Sequence, residues 1–308
     1  MANITASMVK ELRVKTDAGM MDCKKALTEC DGDMDAAVDW LRTKGLAKAA
    51  KKAGRVAAEG LVSALVEGNK GVVVEVNSET DFVARNEVFQ EIVGTVAAVS
   101  MALNGDEAGT RGANFTGTDK TVDEQITAMV GTIGENMNFR RSAGLSVDEG
   151  VVASYIHNAI TDGMGKIAVL VGLKSSGDAA KLSVLARQVA MHVAATNPMS
   201  ATEAELDQEV VERERQVLIN EARESGKPEG IIEKMVEGRI RKYLEEVVLT
   251  KQTFVIDGEN TVEKAIKLAE ADVGAPIELV GFVRFALGEG IEKEEEDFAA
   301  EVAAVAGN

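Results

Sequence analysis

Histidine, cysteine and proline are scarce in this chain of 308 residues, with two, two and three of them respectively. His157 and His192 lie far in sequence from both cysteines, so no spacing exists at which zinc would find its ligands. Cys23 and Cys30 join Ala26 and Leu27 at i, i+3, i+4 and i+7, the stripe of one helix face. That placement predicts small core residues in a reducing compartment rather than a disulfide or a metal pair. So few prolines beside a hydrophobic content of 45% imply an ordered, helix-rich chain. Basic residues are also outnumbered, 34 against 51 acidic ones, for a net charge of -17. Nucleic-acid affinity depends on clustered Lys and Arg releasing counterions, so DNA or RNA is excluded as a main ligand.

Long apolar runs are missing too. No stretch approaches the roughly 20 uncharged residues of a membrane span, and Met1-Ala2-Asn3-Ile4 leads into a polar amphipathic segment without a signal-peptide core. A soluble, unexported, cytoplasmic protein with no membrane partner is expected, and the lack of a transit-like extension points to a bacterial cytoplasm. No Gly-x-Ser-x-Gly elbow occurs, and acids are too common for one carboxylate pair to stand out as an acid/base dyad. Asp162-Gly163-Met164-Gly165-Lys166-Ile167 faintly resembles a phosphate loop, but it lacks the first glycine and the Ser or Thr after the lysine. A hairpin turn is expected there, with no cofactor and no nucleotide bound directly.

What is present reads as an α+β chain. Met8, Val9 and Leu12, then Asp22 to Cys30, then Met34, Ala37, Val38 and Leu41 mark three short helices, the third ending at Gly45. Leu46 to Arg55, rich in Ala and basic residues, resembles a solvated helical linker. Leu61 to Val66 and Val72 to Val76 form a hairpin, followed by a long helix. The order recurs with Val151 to Tyr155, Ile167 to Leu173, and a helix carrying Leu182, Leu185, Ala186, Val189 and Val193, which suggests an internal duplication. Between Thr202 and Val248 two charged amphipathic helices flank Ser225-Gly226-Lys227-Pro228. Ile232, Met235, Val236, Ile240, Tyr243 and Val247 follow near-heptad spacing there, a seam for use within a hairpin or against a second chain. Strand-like Phe254-Val255-Ile256, a short helix after Thr261 and a strand from Leu279 to Leu287 return the chain to the core. Phe298, Val302 and Val305 stripe a last helix after the acidic run Glu294 to Asp297. The Gly-, Thr- and Asn-rich stretch from Asn104 to Lys120 has no assignable role.

The most informative stretch is Thr80-Asp81-Phe82-Val83-Ala84-Arg85. Asn86 is an N-cap candidate for a helix whose Phe89, Ile92, Val93 and Val96 fall at helical spacing, so Phe82 sits in a strand-to-helix connection. Connections lie on the surface, where an aromatic between Asp81 and Arg85 has no core to enter. Two readings stand at this point: a knob for a partner's socket, or a staple folded under its own helix.

Several strings together resemble the elongation factor Ts family of guanine-nucleotide exchange factors. They are Thr16 to Leu27, Glu75 to Ala84, Ile133-Gly134-Glu135-Asn136, Met191 to Ala195, Lys234 to Arg239, and Val283-Arg284-Phe285 followed by Gly288-Glu289-Gly290. They run in family order over nearly the whole chain. The resemblance implies a ubiquitin-associated-like three-helix module over 1–55, and a duplicated core of subdomain 56–148 and subdomain 149–200 with 249–290. It also implies an inserted coiled-coil hairpin over 201–248 and a C-terminal helical module over 291–308. Elongation factor Tu is the implied partner, with no bond-making chemistry, and the coiled coil permits a homodimer. Thr80, Asp81, Phe82 and Val83 are implied to displace its Mg2+ and loosen GDP. Lys24, Ile133, Gly134 and His157 match further contact positions, with packing open for Ile133 and Gly134, and an ordinary strand role for His157. After His157 this chain has a longer turn, Asn158 to Lys166, than the family commonly shows. An acidic hydrolase with a carboxylate pair in a cleft, and a ubiquitin-associated-type adaptor, are the competing classes.

Overall fold

The computed structural model describes residues 4–16 and 18–292. Its first three helices are α1 (Ala6–Thr16), α2 (Met20–Glu29) and α3 (Met34–Lys52). Their apolar stripes converge on Val9, Leu12, Cys23, Ala26, Leu27 and Ala37, all buried, and both cysteines are free thiols. Asp33 starts α3 by accepting the Ala36 N–H at 2.9 Å, as a short acceptor side chain does at a helix N-terminus. The expected stop at Gly45 is overturned, because α3 continues to Lys52. Gly45 is the crossing point against Gly131 of a later helix, where a Cβ on Gly131 would lie 2.7 Å from the Gly45 Cα. Close backbone approach thus explains this glycine, not termination. The supposed solvated linker is docked as well: Ala49 is buried in the first core.

Two β-hairpin-plus-helix units follow. The first holds β1 (Glu59–Glu67), β2 (Lys70–Ser78), a single turn α4 (Asp81–Ala84), α5 (Glu87–Ala102), α6 (Glu107–Gly112), α7 (Val122–Ile133) and β3 (Met137–Ser146). The second holds β4 (Gly150–His157), the two-residue β5 (Met164–Gly165), β6 (Ile167–Lys174) and α8 (Ala179–Thr196). After a helical hairpin of α9 (Gln208–Glu224) and α10 (Glu229–Val247) it closes with α11 (Val262–Val273) and β7 (Glu278–Ala286). The sheets have strand orders β3-β2-β1-β5 and β4-β6-β7, antiparallel throughout.

The duplication is visible in detail. Thr121 and Thr261 cap α7 and α11, and each helix ends on a left-handed glycine, Gly134 or Gly274, before the last strand. Gly60 and Gly150 open equivalent strands at φ +116° and +133°, and a Cβ there would meet the Val76 carbonyl oxygen at 2.3 Å and that of Leu173 at 2.2 Å. Each pair formed with the last strand also carries a bulge, at Glu75/Val76 and at Gly172/Leu173.

Alternation along the strands gives each sheet two apolar faces. Val62, Val73, Val152, Leu170 and Phe285 pack between the sheets. The outer face of the first is covered by α5 and α7 through Phe89, Val93, Ile126 and Val130, and that of the second by α8 and α11 through Leu182, Val189, Val262 and Ile266. The turn after His157 is long because it crosses between sheets: Gly165 pairs with Val62 and Met164 with Ser63, adding β5 to the edge of the first. Asn104 to Lys120 also gains a role. Asn104 and Gly105 turn with positive φ against β3, and Phe115 is buried in the first core.

Two further expectations are corrected. Phe254-Val255-Ile256 forms no strand: it enters a turn closed by a Phe254 N–H bond to the Asn260 carbonyl, with Val255 and Ile256 exposed. The α10 seam is buried at Ile232, Val236, Ile240 and Leu244, a four-residue spacing, while Met235, Tyr243 and Val247 are only partly covered. Those buried residues meet Leu218 and Ala222 of α9, so the seam is filled within the hairpin. Phe298, Val302, Val305 and the acidic run before them lie outside the described residues.

One buried charge joins the halves. Glu75 on β2 is fully buried and accepts from Arg140 Nη1 at 3.0 Å, Arg141 Nε at 2.6 Å, Asn77 Nδ2 at 3.0 Å and the Gly288 backbone N–H at 2.8 Å. Arg141 also stacks its guanidinium 4.1 Å from the Phe285 ring centre and donates to the Ala286 carbonyl. Burial by itself would raise the Glu75 carboxyl, but the bonds from Gly288, Asn77, Arg141 and Arg140 outweigh it and hold the group below the ordinary carboxylate range. His192, buried on α8, is lowered by burial, against the opposing bond to Gln252 Oε1 at 2.9 Å; its Nδ1 accepts the Val255 N–H, so the neutral ring donates from Nε2.

Both depressed groups make the unfolded chain the better proton binder on acidification. Stability is therefore expected to fall as pH drops below the ordinary histidine value of 6.5, then again below the ordinary carboxylate value of 4.5. Urea titrations across pH check this, and Glu75→Gln is expected to shrink the lower step, to which Asp257 and Glu270 also contribute, and to cost roughly 3 kcal/mol at neutral pH. Gly60→Ala is expected to cost about 2 to 3 kcal/mol, read from the denaturation midpoint, because the backbone conformation and the Val76 carbonyl both oppose a side chain.

Candidate partner-binding site

Phe82 stands 80% exposed, so the staple reading is overturned. The reason is local. A single turn, α4, buries its other side: Val83 and Ala84 enter the first core and leave Asp81, Phe82 and Arg85 outside. The turn is closed by the Arg85 N–H on the Phe82 carbonyl at 3.2 Å and by the Asn86 N–H on the Val83 carbonyl at 2.9 Å. Asn86 then caps α5 by accepting the Val88 N–H at 2.9 Å, and Gln90 Nε2 reaches back to the Ala84 carbonyl at 3.0 Å.

The other end of the turn is fixed across the chain. Glu135 accepts two bonds from Thr80, the backbone N–H at 2.9 Å and the hydroxyl at 2.7 Å. The neighbouring pair closes through Arg55: Glu79 accepts the Asn136 N–H, while Asn136 Nδ2 donates to the Arg55 carbonyl at 2.7 Å and Arg55 meets Glu79 at 3.2 Å. Ser78 Oγ donates to the Thr80 carbonyl at 2.9 Å. The strings Glu75 to Ala84 and Ile133 to Asn136, separate in sequence, are therefore one structure.

Among the predicted site residues, Thr80, Asp81, Phe82, Ile133 and Gly134 are brought together on or beside this turn. Val83 faces inward and anchors it. Ile133 is half-buried against the first core, and Gly134 sits at φ +87° with open space where a Cβ would go. Lys24 lies exposed on α2, and His157 is exposed at the end of β4, its Nδ1 3.3 Å from the Tyr155 hydroxyl. Among the described residues no hydrogen bond, ion pair or ring contact joins either to the Phe82 turn. Glu135, Asn136 and Glu79, which hold the root of the turn, are the residues that spacing alone missed. Their signal was the pairing of two short acidic-amide strings, which has no meaning until the chain brings them together.

An exposed aromatic on a turn bonded at both ends has little chemistry of its own. Its geometry is that of a preformed surface knob, with the backbone held at both ends by hydrogen bonds. The sequence profile of the family described as elongation factor TS matches residues 79–289, more than half of the chain. The chain belongs to the elongation factor Ts family. Elongation factor Ts of Parvibaculum lavamentivorans is 64% identical over 306 residues, covering 99% of both chains. That of Rhodospirillum rubrum is 62% identical over 305 residues, and that of Rhizobium etli strain CIAT 652 is 60% identical over 304, each again covering 99% of both. Family membership makes this a translation elongation factor of the nucleotide-exchange type. The elongation factor Ts profile spans the chain from Glu79, at the root of the Phe82 turn, to Glu289, beside the Glu75 cluster.

Glu135→Ala is expected to release the Thr80 end of the turn. Hydrogen exchange at the Thr80 amide should accelerate by at least about tenfold, with a loss of about 1 to 2 kcal/mol in global stability, since charge-assisted bonds of this kind are worth that much at a half-covered site.

Proposed function

We propose that this chain binds elongation factor Tu in its GDP-bound state, dislodges the Mg2+ and promotes GDP release, with Thr80, Asp81, Phe82 and Val83 as the inserted element. The observation that carries it is Phe82: an aromatic four-fifths exposed on a turn that the protein holds rigid from both ends. Phe82 is the wedge, Asp81 lies beside it to reposition the partner's backbone near the metal, Thr80 fixes the root through Glu135, and Val83 anchors the turn in the core.

Energetics limit what the wedge does alone. A GTPase holding GDP at nanomolar affinity has about 12 kcal/mol of binding free energy. Weakening GDP about ten-thousandfold requires roughly 5.5 kcal/mol of differential binding, and by reciprocity GDP weakens the factor equally. Burying Phe82 contributes only about 1.5 to 3 kcal/mol. Disturbing the Mg2+ site is an efficient complement, because that cation neutralises phosphate charge. The remainder comes from contacts spread along the chain: Lys24 on the ubiquitin-associated-like module 1–55, Ile133 and Gly134 in subdomain 56–148, His157 in the subdomain made of 149–200 and 249–290, and the C-terminal module 291–308. The inserted coiled-coil hairpin 201–248 spends its seam internally, so a homodimer would have to use its outer side, where Val217 and Ile231 are exposed.

Stopped-flow release of a fluorescent GDP from elongation factor Tu tests the wedge. Phe82→Ala is expected to slow catalysed release by about 10- to 100-fold with the fold unchanged. Release as fast as with the wild-type factor would reject the assignment.

A further inference from the structure

The helices α1 to α3 and the core meet around a cleft of about 750 Å³, bounded on one side by α3 and on the other by α7 and the turn before it. Its charge is opposite to that of the chain. Among the described residues three carboxylates line it, and each is already engaged: Asp22 by Lys48 at 2.9 Å, Asp123 by Arg111 at 3.3 Å, and Glu124 by the Thr121 N–H at 2.9 Å in the cap of α7. Lys25, Arg42, Lys44 and Lys120 line the same cleft, and among the described residues none of the four lies within ion-pair distance of a carboxylate. Among the described residues these four cations have no ion-pair partner, and gathered in one cleft of a chain of net charge -17 they make a local positive field. The wall beside them is Trp40, the sole tryptophan of the chain, with the Lys44 ammonium 5.4 Å from its ring centre.

An aromatic wall, uncompensated cations, and amide and hydroxyl groups from Gln125 and Thr127 make a mixed surface in a cleft of the size that small ligands occupy. We propose that this cleft binds a nucleoside phosphate, with the base against Trp40 and the phosphates among Lys25, Arg42, Lys44 and Lys120. Arg and Lys serve phosphate through charge-assisted hydrogen bonds, and the free cations supply several at no cost in broken ion pairs. This site is separate from the Phe82 turn and independent of the exchange reaction. It runs against the expectation, based on the missing phosphate-loop glycine, that the chain binds no nucleotide itself. Recognition here would run through side chains at the junction of two helical layers, which no loop motif encodes.

The sole tryptophan supplies the readout. The full-length chain, free of any partner, is titrated with GDP, GTP, ATP and inorganic tripolyphosphate while Trp40 fluorescence is followed, and equilibrium dialysis with labelled nucleotide runs in parallel. A saturable change with at least one nucleotide is expected, together with weaker binding as salt rises. Arg42→Glu and Lys25→Glu, both at exposed positions, are expected to bind about tenfold or more weakly with unchanged denaturation midpoints. Phe82→Ala is expected to bind as wild type, which separates this site from the exchange reading. No fluorescence change together with no retention in dialysis overturns the proposal, and so does wild-type affinity in both charge-reversal variants. Tripolyphosphate binding as tightly as the nucleotides overturns the role given to Trp40.

Discussion

A single buried carboxylate ties this molecule together. Glu75 lies on an inner strand of the first sheet, inside the protein, where an unpaired negative charge would be costly. It is tolerated because two guanidiniums, an amide and a backbone N–H close around it. Those partners come from β2, β3 and the residues just past β7, so satisfying one charge fixes where the last strand of the chain ends relative to the first sheet. The same strand runs two residues further to Asn77 and Ser78 and then into the Phe82 turn. The clasp and the Phe82 turn are neighbours on one strand.

The duplication explains how such a clasp arises. Two β-β-α-α-β units, each with a glycine of positive φ opening its first strand and a capped helix before its last, pack sheet to sheet. Equivalent strands β2 and β6 both take a bulge where they meet the last strand. The units differ where extra chain enters. The first carries α6 and the Phe115 turn between its helices, whereas the second carries the long α9–α10 hairpin. The first unit's strand-to-helix connection carries the exposed Phe82, while the matching connection of the second is a plain turn into α8 capped by Asp178. Divergence between repeats has thus been placed in loops, where the sheets do not constrain it.

Periodicity made the elements legible. The strands at Leu61 and Val72, the helix cap at Asn86 and the buried faces of α5 and α8 all follow from spacing, because burial on one face leaves a regular trace. Errors fell where a residue type carries more than one meaning. Gly45 looked like a helix stop but is a close-packing point, and Phe254-Val255-Ile256 looked like a strand but is a turn whose phenylalanine alone is buried. At the site, spacing placed Phe82 in a connection but left open whether it faced in or out. Local sequence cannot decide that, since the answer depends on Val83 and Ala84 occupying the core first.

By itself the sequence determined the class of the fold, the order of its repeated units and, through collinear strings, the family. These rest on composition and short-range periodicity, which the chain carries wherever it folds. Tertiary structure alone decided that Thr80 is held by Glu135, that Glu75 is the buried junction of the two halves, that α3 runs on and docks against α7, and that Lys25, Arg42, Lys44 and Lys120 line one cleft with Trp40. Each of these depends on residues far apart in the chain meeting in space. The energy of such meetings lies in burial and in complementary charge, neither of which has a period to read.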